Sequence, residues 1–542
     1  MISQKDGKPI ISHLVILVFS ALAIRVFSFT HTMMMNLDGP IYIHQARALY
    51  YGLWENINNC SGVDWLTLYS ILIAAVYPIA GDWMHGAMAV NLIFGTLMII
   101  PLYLFLRRFL DEKTSFLTTF IFVMLPVFVD QSVNVIRDPS SWFFAVLGLY
   151  LLVYDDERDT PFFLILSSLS FIMATATRIE NIAFIIGGCI YIFMVFKNRK
   201  LKALFLFLSP IILAVSLFIV IQLIRHPGSF YWYRFHEIPL SIINLFDNYR
   251  HLEINLTPLV LNPPPGIPIE FMRYSRTLIW FIALGVVLQS AMEAFFYPFF
   301  LLLLLGLTGL KNRMRTDRRI LSLVIIAAIS AVVLYIYCLN IWSMENRRLI
   351  MVILPSAVFM GFGVEKLINW LHKKFGLSDS IGVIVLCLLV LILTLPKDLK
   401  VREADKLVYK EIGETIARLD GGSGVIEMIT LGNALRWNDY YANLHVQGAP
   451  CPEKYSGWQD KSIIGSSYDD FIHNMRMRNI RYIVWEEKNW PRKKFAFLQS
   501  LRPTDLIKLK EWSHQDTGRI ILYEVLYQKK TDTDSHYPLE VE

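Results

Sequence analysis

Charged side chains are expensive beside long apolar runs, so the few that stand at the ends of such runs are where chemistry is read first. Residues 35–52, MNLDGPIYIHQARALYYG, place a lone carboxylate, Asp38, ahead of a short helix rich in tyrosine. VNVIRDPSSW sets Arg137 and Asp138 at the head of a later run. ATATRIENIAF holds Arg178 and Glu180 in a connection of a few residues, and SMENRRLIMVILP puts Arg347 and Arg348 before another run. Carboxylates in such places can serve as a general base or hold a divalent cation. Neighbouring guanidiniums suit the oxygen pair of a phosphate.

Each position also has a plainer reading. Asp38-Gly39-Pro40 reads as an N-cap with proline in the first turn, and Gly52 ends the helix. Tyr42, Ala46, Leu49 and Leu53 then form one apolar stripe on a helix lying flat on the membrane. Asp138 before Pro139 reads as another cap, with Arg137 as its ion-pair partner. Arg178 and Glu180 read as side chains snorkelling from a tight turn, as does Arg25 from within the first apolar run.

These residues are positioned by an α-helical polytopic membrane protein. The chain has 542 residues, 55% of them hydrophobic and 14% aromatic, and its repeated long apolar runs need lipid to face, which excludes a soluble protein. Basic clusters at Lys5 and Lys8, Arg107 to Lys113, Lys197 to Lys202, Lys311 to Arg319 and Lys373-Lys374 mark one side of the membrane, the cytoplasmic one. An even number of spans must separate each pair of clusters. That parity leaves about eleven spans, with 65–80 and 277–292 as interfacial helices. Residues 1–23 look like a signal peptide, but in a multi-span chain they read as an uncleaved first helix.

The N-terminus is then cytoplasmic in the cell (inner) membrane. The outer side receives 31–84, 131–139, 176–180, 225–293, 341–348 and everything after 396. All the charged positions singled out above fall there, and Arg347 and Arg348 stand against the positive-inside preference, which favours an anion as their partner. Two domains follow. Residues 1–396 form the transmembrane domain, with 31–84 as its first outer loop and 225–293 as its second large one. Residues 397–542 form an extracytoplasmic α/β domain, in which helix-like stretches at 403–420 and 467–478 alternate with GVIEMIT, RYIVW and GRIILYEV. Cys60 and Cys451 fall outside and either pair in an oxidising compartment or remain thiols. Cys189, Cys338 and Cys387 sit in apolar runs, and no zinc spacing is present.

Asn36-Leu37-Asp38-Gly39 running into Tyr42 and Ala46-Arg47 resembles the first outer loop of the GT-C superfamily of integral-membrane glycosyltransferases. That superfamily includes oligosaccharyltransferases, protein O-mannosyltransferases and bacterial aminoarabinose transferases. The likeness continues in order through Asp138, the Thr-Arg-x-Glu stretch 177–180 and RRLIMVILPSAVFMGFGVEKL at 347–367, which is similar to the Arg-Tyr-Leu-Leu-Pro-type helix of the bacterial members.

The resemblance implies a glycosyltransferase, hexosyl or pentosyl, whose donor is a sugar on a polyprenyl phosphate. The acceptor would be a lipid, glycan or protein hydroxyl, and nucleic acid is no partner. It makes Asp38 the base, gives Arg347, Arg348 and Arg178 the donor phosphate, and gives Asp138 and Glu180 the acceptor or a metal. Magnesium or manganese on Asp38 and Asp138 is the alternative metal set, and Tyr42 and Arg137 are further candidates. Two features depart from the oligosaccharyltransferases. Asp138 is a single carboxylate where they carry a pair, and WNDYY at 437–441 matches their Trp-Trp-Asp-Tyr-Gly motif at only three positions ahead of a strand-like YANLHVQG. The rival reading is a transporter or flippase of lipid-linked sugars, which would place its ionisable residues near the bilayer midplane.

Overall fold

The computed structural model describes the chain apart from residues 1–6, 58–59, 61–65, 159–160, 197–198, 226–236, 423, 431–433, 448–450, 453–462, 491–494 and 528–542. Lys5, the first two residues of the basic stretch 197–202 and part of 225–293, expected as the second large outer loop, therefore lie outside the described residues. The chain divides into two compact units, Met1–Thr32 with Thr67–Arg402, and Met33–Leu66 with Glu403–Glu542.

The larger unit is helical. Each apolar run expected to span is helix, but six helices are long and apolar enough to cross a membrane by length and composition. They are Ile10–Thr30, Trp83–Leu106, Lys200–Ile221, Arg318–Ile341, Ile350–Phe375 and Asp379–Asp398. Asp138–Tyr154, Phe162–Thr177, Ile179–Val195 and Tyr297–Leu307 are shorter. The run 114–130 is cut by Pro126, whose ring holds Leu125 extended at φ −70°, ψ 120°. Of the two stretches expected at the interface, Leu68–Ala80 is a short apolar helix. Ile279–Ala294 follows Ile269–Thr277 across an 83° bend, so a seventh span arises only if that pair crosses as one. The stretch 225–293, expected on the outer side, also contains a helix the sequence pattern did not announce, Glu237–Leu261.

Close helix packing needs small residues where backbones meet. Helices Tyr297–Leu307 and Ile350–Phe375 meet at Gly306 and Gly363. A Cβ on Gly306 would lie 1.8 Å from the Phe359 carbonyl oxygen, and one on Gly363 would lie 1.9 Å from that of Leu302. The helix so held is buried from Ile350 to Val364 save Val352, and it carries Arg347 and Arg348 just ahead of its first turn. Arg25 does not snorkel. It is fully buried, and its guanidinium donates to Ser132 Oγ at 3.2 Å and to the carbonyls of Ala21 at 3.2 Å and Val123 at 3.4 Å. These bonds occupy Nε and Nη1, and Nη2 is left without a hydrogen bond among the described residues.

The smaller unit is built on a four-stranded sheet, β1 (Met428–Thr430), β2 (Tyr482–Glu486), β3 (Leu506–His514) and β4 (Gly518–Val525), in the order β1-β2-β4-β3. β1 and β2 are parallel; β2–β4 and β4–β3 are antiparallel. β1, β2 and β4 coincide with the expected apolar runs. β3, LIKLKEWSH, is an edge strand with mostly exposed charged positions and gave no such signal. Helix Tyr468–Met477 starts at a capping box between Ser467 and Asp470 and packs Phe471 and Met475 into the core with Trp485 and Phe497.

The first-loop helix Gly39–Tyr50 belongs to this unit and is buried on all faces from Gly39 to Ala48. It is therefore not a flat amphipathic helix with one apolar stripe. Its polar face is spent inside the protein. His44 Nε2 pairs with the Asn56 carbonyl at 2.9 Å, Gln45 donates to that of Ile57 at 3.3 Å, and Arg47 donates to those of Leu444 and Val446. WNDYY lies in helix Leu435–Ala442, and the stretch after it turns rather than entering a strand.

Cys60 and Cys451 form a disulfide that ties the first loop to the later part of the same unit across 391 residues of sequence. Cys60→Ser is expected to lower that unit's stability by about 2–4 kcal/mol. Thermal melts with and without reductant check this: the wild type should lose stability on reduction and the variant should not respond.

Candidate functional site

In the larger unit, three connections bring the predicted charges together. Asp138 opens helix Asp138–Arg158, Arg178 and Glu180 sit at the short turn Ile179–Asn181 between two helices, and Glu345 to Arg348 precede helix Ile350–Phe375. Arg178 Nη1 donates to Asp138 Oδ1 at 2.5 Å, and its Nη2 lies 3.6 Å from Glu180 Oε1. Arg348 Nη1 donates to the same Glu180 oxygen at 2.5 Å and stacks over the Tyr337 ring at 4.1 Å. Arg347 bonds both oxygens of Glu345 at 2.8 and 2.9 Å and lies 3.9 Å from Asp138 Oδ2. Glu345 also accepts from Arg348 Nε at 3.2 Å.

Neither plain reading of these residues survives. Asp138 is buried, and its carboxylate accepts from Arg178 rather than from Arg137 or a first-turn backbone N–H. Arg178, 6% exposed, does not snorkel. Asp138 Oδ2 and Glu180 Oε2 are buried without a hydrogen bond among the described residues. Such oxygens are costly unless something charged or polar reaches them. Glu345 was missed, although MENRR shows a carboxylate two residues from Arg347.

Burial by itself would push the Glu180 carboxyl up, but the guanidiniums of Arg178, Arg348 and Arg137 outweigh it and hold the group at about 2. Burial opposes Arg347, Arg348 and Arg178 in the same way at Glu345, which is also lowered. A carboxyl that is more acidic folded than unfolded contributes stability above its unfolded pKa and loses it as pH falls toward the folded one. Glu180 thus contributes roughly 3 kcal/mol at neutral pH, lost progressively below about pH 4.5. The melting temperature of Glu180→Gln should be lower than the wild type's at pH 7, and the gap should close toward pH 3.

Asp38 and Tyr42 lie in the smaller unit. Asp38 is the N-cap residue of its helix, but its side chain makes no capping hydrogen bond. The Asp38 backbone N–H donates to Asn36 Oδ1 at 2.8 Å, and its carboxylate accepts from Arg436 Nη1 at 3.1 Å. Arg436 is 398 positions away, and no sequence signal links the two. Tyr42, one turn on, is buried. Among the described residues, Asp38 and Asp138 belong to no group of three close metal-ligating side chains. Among the described residues the one set of three whose ligand atoms lie within 4.8 Å of one another is Asp405, His514 and Asp516, in the smaller unit. His514 Nδ1 accepts the Asp516 backbone N–H at 3.2 Å.

Residues 67–223 match the family model of the dolichyl-phosphate-mannose-protein mannosyltransferases. No curated protein matches the sequence. Among solved structures, the chain is similar to the oligosaccharyltransferase of Archaeoglobus fulgidus tethered to an acceptor peptide, with TM-score 0.59 and 13% identity over 89% of this chain and 70% of that one. The same archaeal enzyme, AglB, is also known with an inhibitory peptide and a dolichol-phosphate, and with zinc and sulfate. ArnT of Cupriavidus metallidurans in its apo state is similar with TM-score 0.55 and 13% identity, over 94% of this chain and 97% of that one, and it has also been solved bound to undecaprenyl phosphate. The fold of this chain is therefore that of the GT-C membrane glycosyltransferases, and residues 67–223 carry the sequence signature of one of their families.

Proposed function

We propose that the chain transfers a sugar from a polyprenyl-phosphate donor to an acceptor hydroxyl at the outer face of the membrane. The observation that supports this most is the cluster of buried and half-buried guanidiniums at the ends of the helices. It is formed by Arg178, Arg347 and Arg348, with Arg137 near enough to act on Glu180. Arginines held this way in a lipid-embedded fold suit a phosphate at headgroup depth. The related AglB and ArnT bind dolichol-phosphate and undecaprenyl phosphate.

In the proposed reaction Asp38 takes the proton of the acceptor hydroxyl. The hydroxyl oxygen bonds to the anomeric carbon, and the bond from that carbon to the phosphate oxygen breaks on the opposite face. The anomeric centre inverts, and the phosphate leaves with the bonding electron pair. Arg178, Arg347 and Arg348 offset the charge that develops on it. Asp138 and Glu180 position those guanidiniums. Asp138 and Glu180 pair one oxygen each with Arg178 and Arg348 and keep Oδ2 and Oε2 buried without a hydrogen bond among the described residues, so these two oxygens would hold a magnesium or manganese ion that offsets the charge of the leaving phosphate; no step is routed through one.

Two other readings are less well supported. WNDYY is buried from Trp437 to Tyr441, and Trp437 donates to the Met35 carbonyl, a packing role rather than an accessible acceptor-binding motif. The flippase reading would make Arg25 part of a transport path, and the Arg25 Nε and Nη1 groups bond to Ser132 and Val123 instead. The test is transfer of labelled sugar from total polyprenyl-linked sugars into membrane fractions by the purified chain. Absence of transfer with every such donor pool would remove the proposal.

A further inference from the structure

Two cavities of the larger unit succeed one another along helix Asp379–Asp398. One, of about 180 Å³, is lined by apolar residues alone, among them Leu386, Leu389, Val390 and Leu393 on that helix and Phe299 and Leu302 on helix Tyr297–Leu307. The other, of about 190 Å³, is polar, and its lining includes Glu293, Asn346, Lys397, Lys400, Asp130 and Arg402. Leu386, Val390, Leu393 and Lys397 follow at intervals of four, three and four residues, so they share one face of the helix. Lys400 stands just past the C-cap residue, Leu399. From Lys397 to Leu386 the helix covers about 16 Å, close to half of the roughly 30 Å hydrocarbon core of a bilayer.

The opposite wall changes character at the same level, from Phe299 and Leu302 to Glu293 near the end of helix Ile279–Ala294. Phe296 lies between them, and the Lys397 ammonium stands 5.4 Å over its ring, where the two walls meet. Among the described residues the Lys400 ammonium has neither an ion pair nor a hydrogen bond, and the Glu293 carboxylate accepts only from Gln289, at 3.2 Å. Arg402 is committed to Asp130 at 2.7 Å, and the buried Asp398 is within electrostatic reach of both Lys397 and Arg402. The charges therefore balance, with Lys397, Lys400 and Arg402 offset by Asp130, Glu293 and Asp398. They are also sorted, the two lysines on one wall and Glu293 on the other.

A neutral lining with its charges parted onto two walls matches a ligand that is itself neutral and dipolar, and the apolar cavity below it matches a hydrocarbon chain one leaflet deep. We infer that the two cavities form one binding site for a zwitterionic phospholipid with a primary ammonium headgroup. Its phosphate meets Lys397 and Lys400, its ammonium meets Glu293, and one of its chains lies against Leu386 to Leu393. A singly charged lipid, whether phosphatidylglycerol or a prenyl phosphate, would satisfy the lysines and leave Glu293 facing an anion. A quaternary ammonium has no N–H to give that carboxylate, whereas a primary one donates charge-assisted hydrogen bonds to it. The inference goes beyond the proposed transfer reaction and does not depend on it.

The full chain is purified in detergent, stripped of lipid and titrated with dioleoyl phosphatidylethanolamine in mixed micelles. Bound lipid is counted by native mass spectrometry, and affinity is read from the rise of melting temperature with lipid concentration. Phosphatidylethanolamine should bind more tightly than phosphatidylcholine, phosphatidylglycerol or farnesyl phosphate, a ranking that needs no variant. Glu293→Gln should weaken phosphatidylethanolamine binding roughly tenfold without weakening that of phosphatidylglycerol. Lys400→Gln should weaken both. Leu389→Trp, at an exposed position, places an indole in the apolar cavity and should weaken every diacyl lipid. Lipid-free melting temperatures equal to the wild type's show that the variants are folded.

Equal phosphatidylethanolamine binding by the wild type and Glu293→Gln overturns the inference. So does a wild type that binds phosphatidylglycerol as tightly as phosphatidylethanolamine, because the cavity would then read the phosphate alone. Preference for farnesyl phosphate would assign the site to a prenyl carrier and overturn it too. Undiminished binding by Leu389→Trp would place the chain elsewhere, with the same consequence. One bound phosphatidylethanolamine, lost in Glu293→Gln and Leu389→Trp alike, establishes the site whether or not the chain transfers sugar.

Discussion

Asp38→Asn is expected to lower sugar transfer by about 10²–10⁴-fold, the usual weight of a positioned general base, while leaving the fold intact. Asp38 makes no side-chain capping bond, so its loss removes none. Its carboxylate is about one-third exposed and pairs with Arg436, and an asparagine oxygen can still accept that bond. Labelled transfer and thermal melts on the same preparation decide the matter. Lost transfer with an unchanged melt identifies the base. Unchanged transfer means Asp38 only orients the loop with Arg436, and the proposed mechanism loses its central residue.

The second large effect is on stability. Arg178→Met leaves the Asp138 carboxylate, 1% exposed, without its hydrogen-bond donor. An uncompensated buried charge costs about 3–5 kcal/mol, because desolvation is no longer offset by the partner. Arg347 at 3.9 Å can recover a part of this. The double variant Arg178→Met/Asp138→Asn removes both charges and should regain more than half of the loss. A single variant that melts with the wild type would show that the pair carries no net energy in the fold. A double variant no better than the single would show that packing, not charge, holds the turn.

Much of the fold was legible along the chain because membrane helices announce themselves by local composition. A run of apolar residues needs lipid wherever it sits, so the long helices and the basic connections between them can be read without a partner in view. Span number was harder. Pro126 cuts one run, the 83° bend before Ile279 redirects another, and four helices are too short to qualify alone. In the smaller unit β2, with its five buried residues, was visible, whereas β3 was hidden by its charges, since an edge strand's pairing depends on a neighbour.

The sequence by itself determined which residue types stand at the ends of the apolar runs. Charge placed against the cost of lipid burial is informative without any coordinates. It therefore pointed to Asp38, Asp138, Arg178, Glu180, Arg347 and Arg348. Only the tertiary structure decided which of them meet. Asp138 pairs with Arg178 across forty positions and not with adjacent Arg137, and Glu180 pairs with Arg348 across 168. Asp38 pairs with Arg436, and Cys60 with Cys451, at still greater separations. Such pairings follow from where helix ends converge, and separation along the chain does not encode that convergence. For the same reason the first-loop helix, amphipathic in pattern, was free to bury its polar face too. Every buried donor and acceptor on it needs a partner, and His44, Gln45 and Arg47 find theirs in carbonyls that only the folded unit brings within reach.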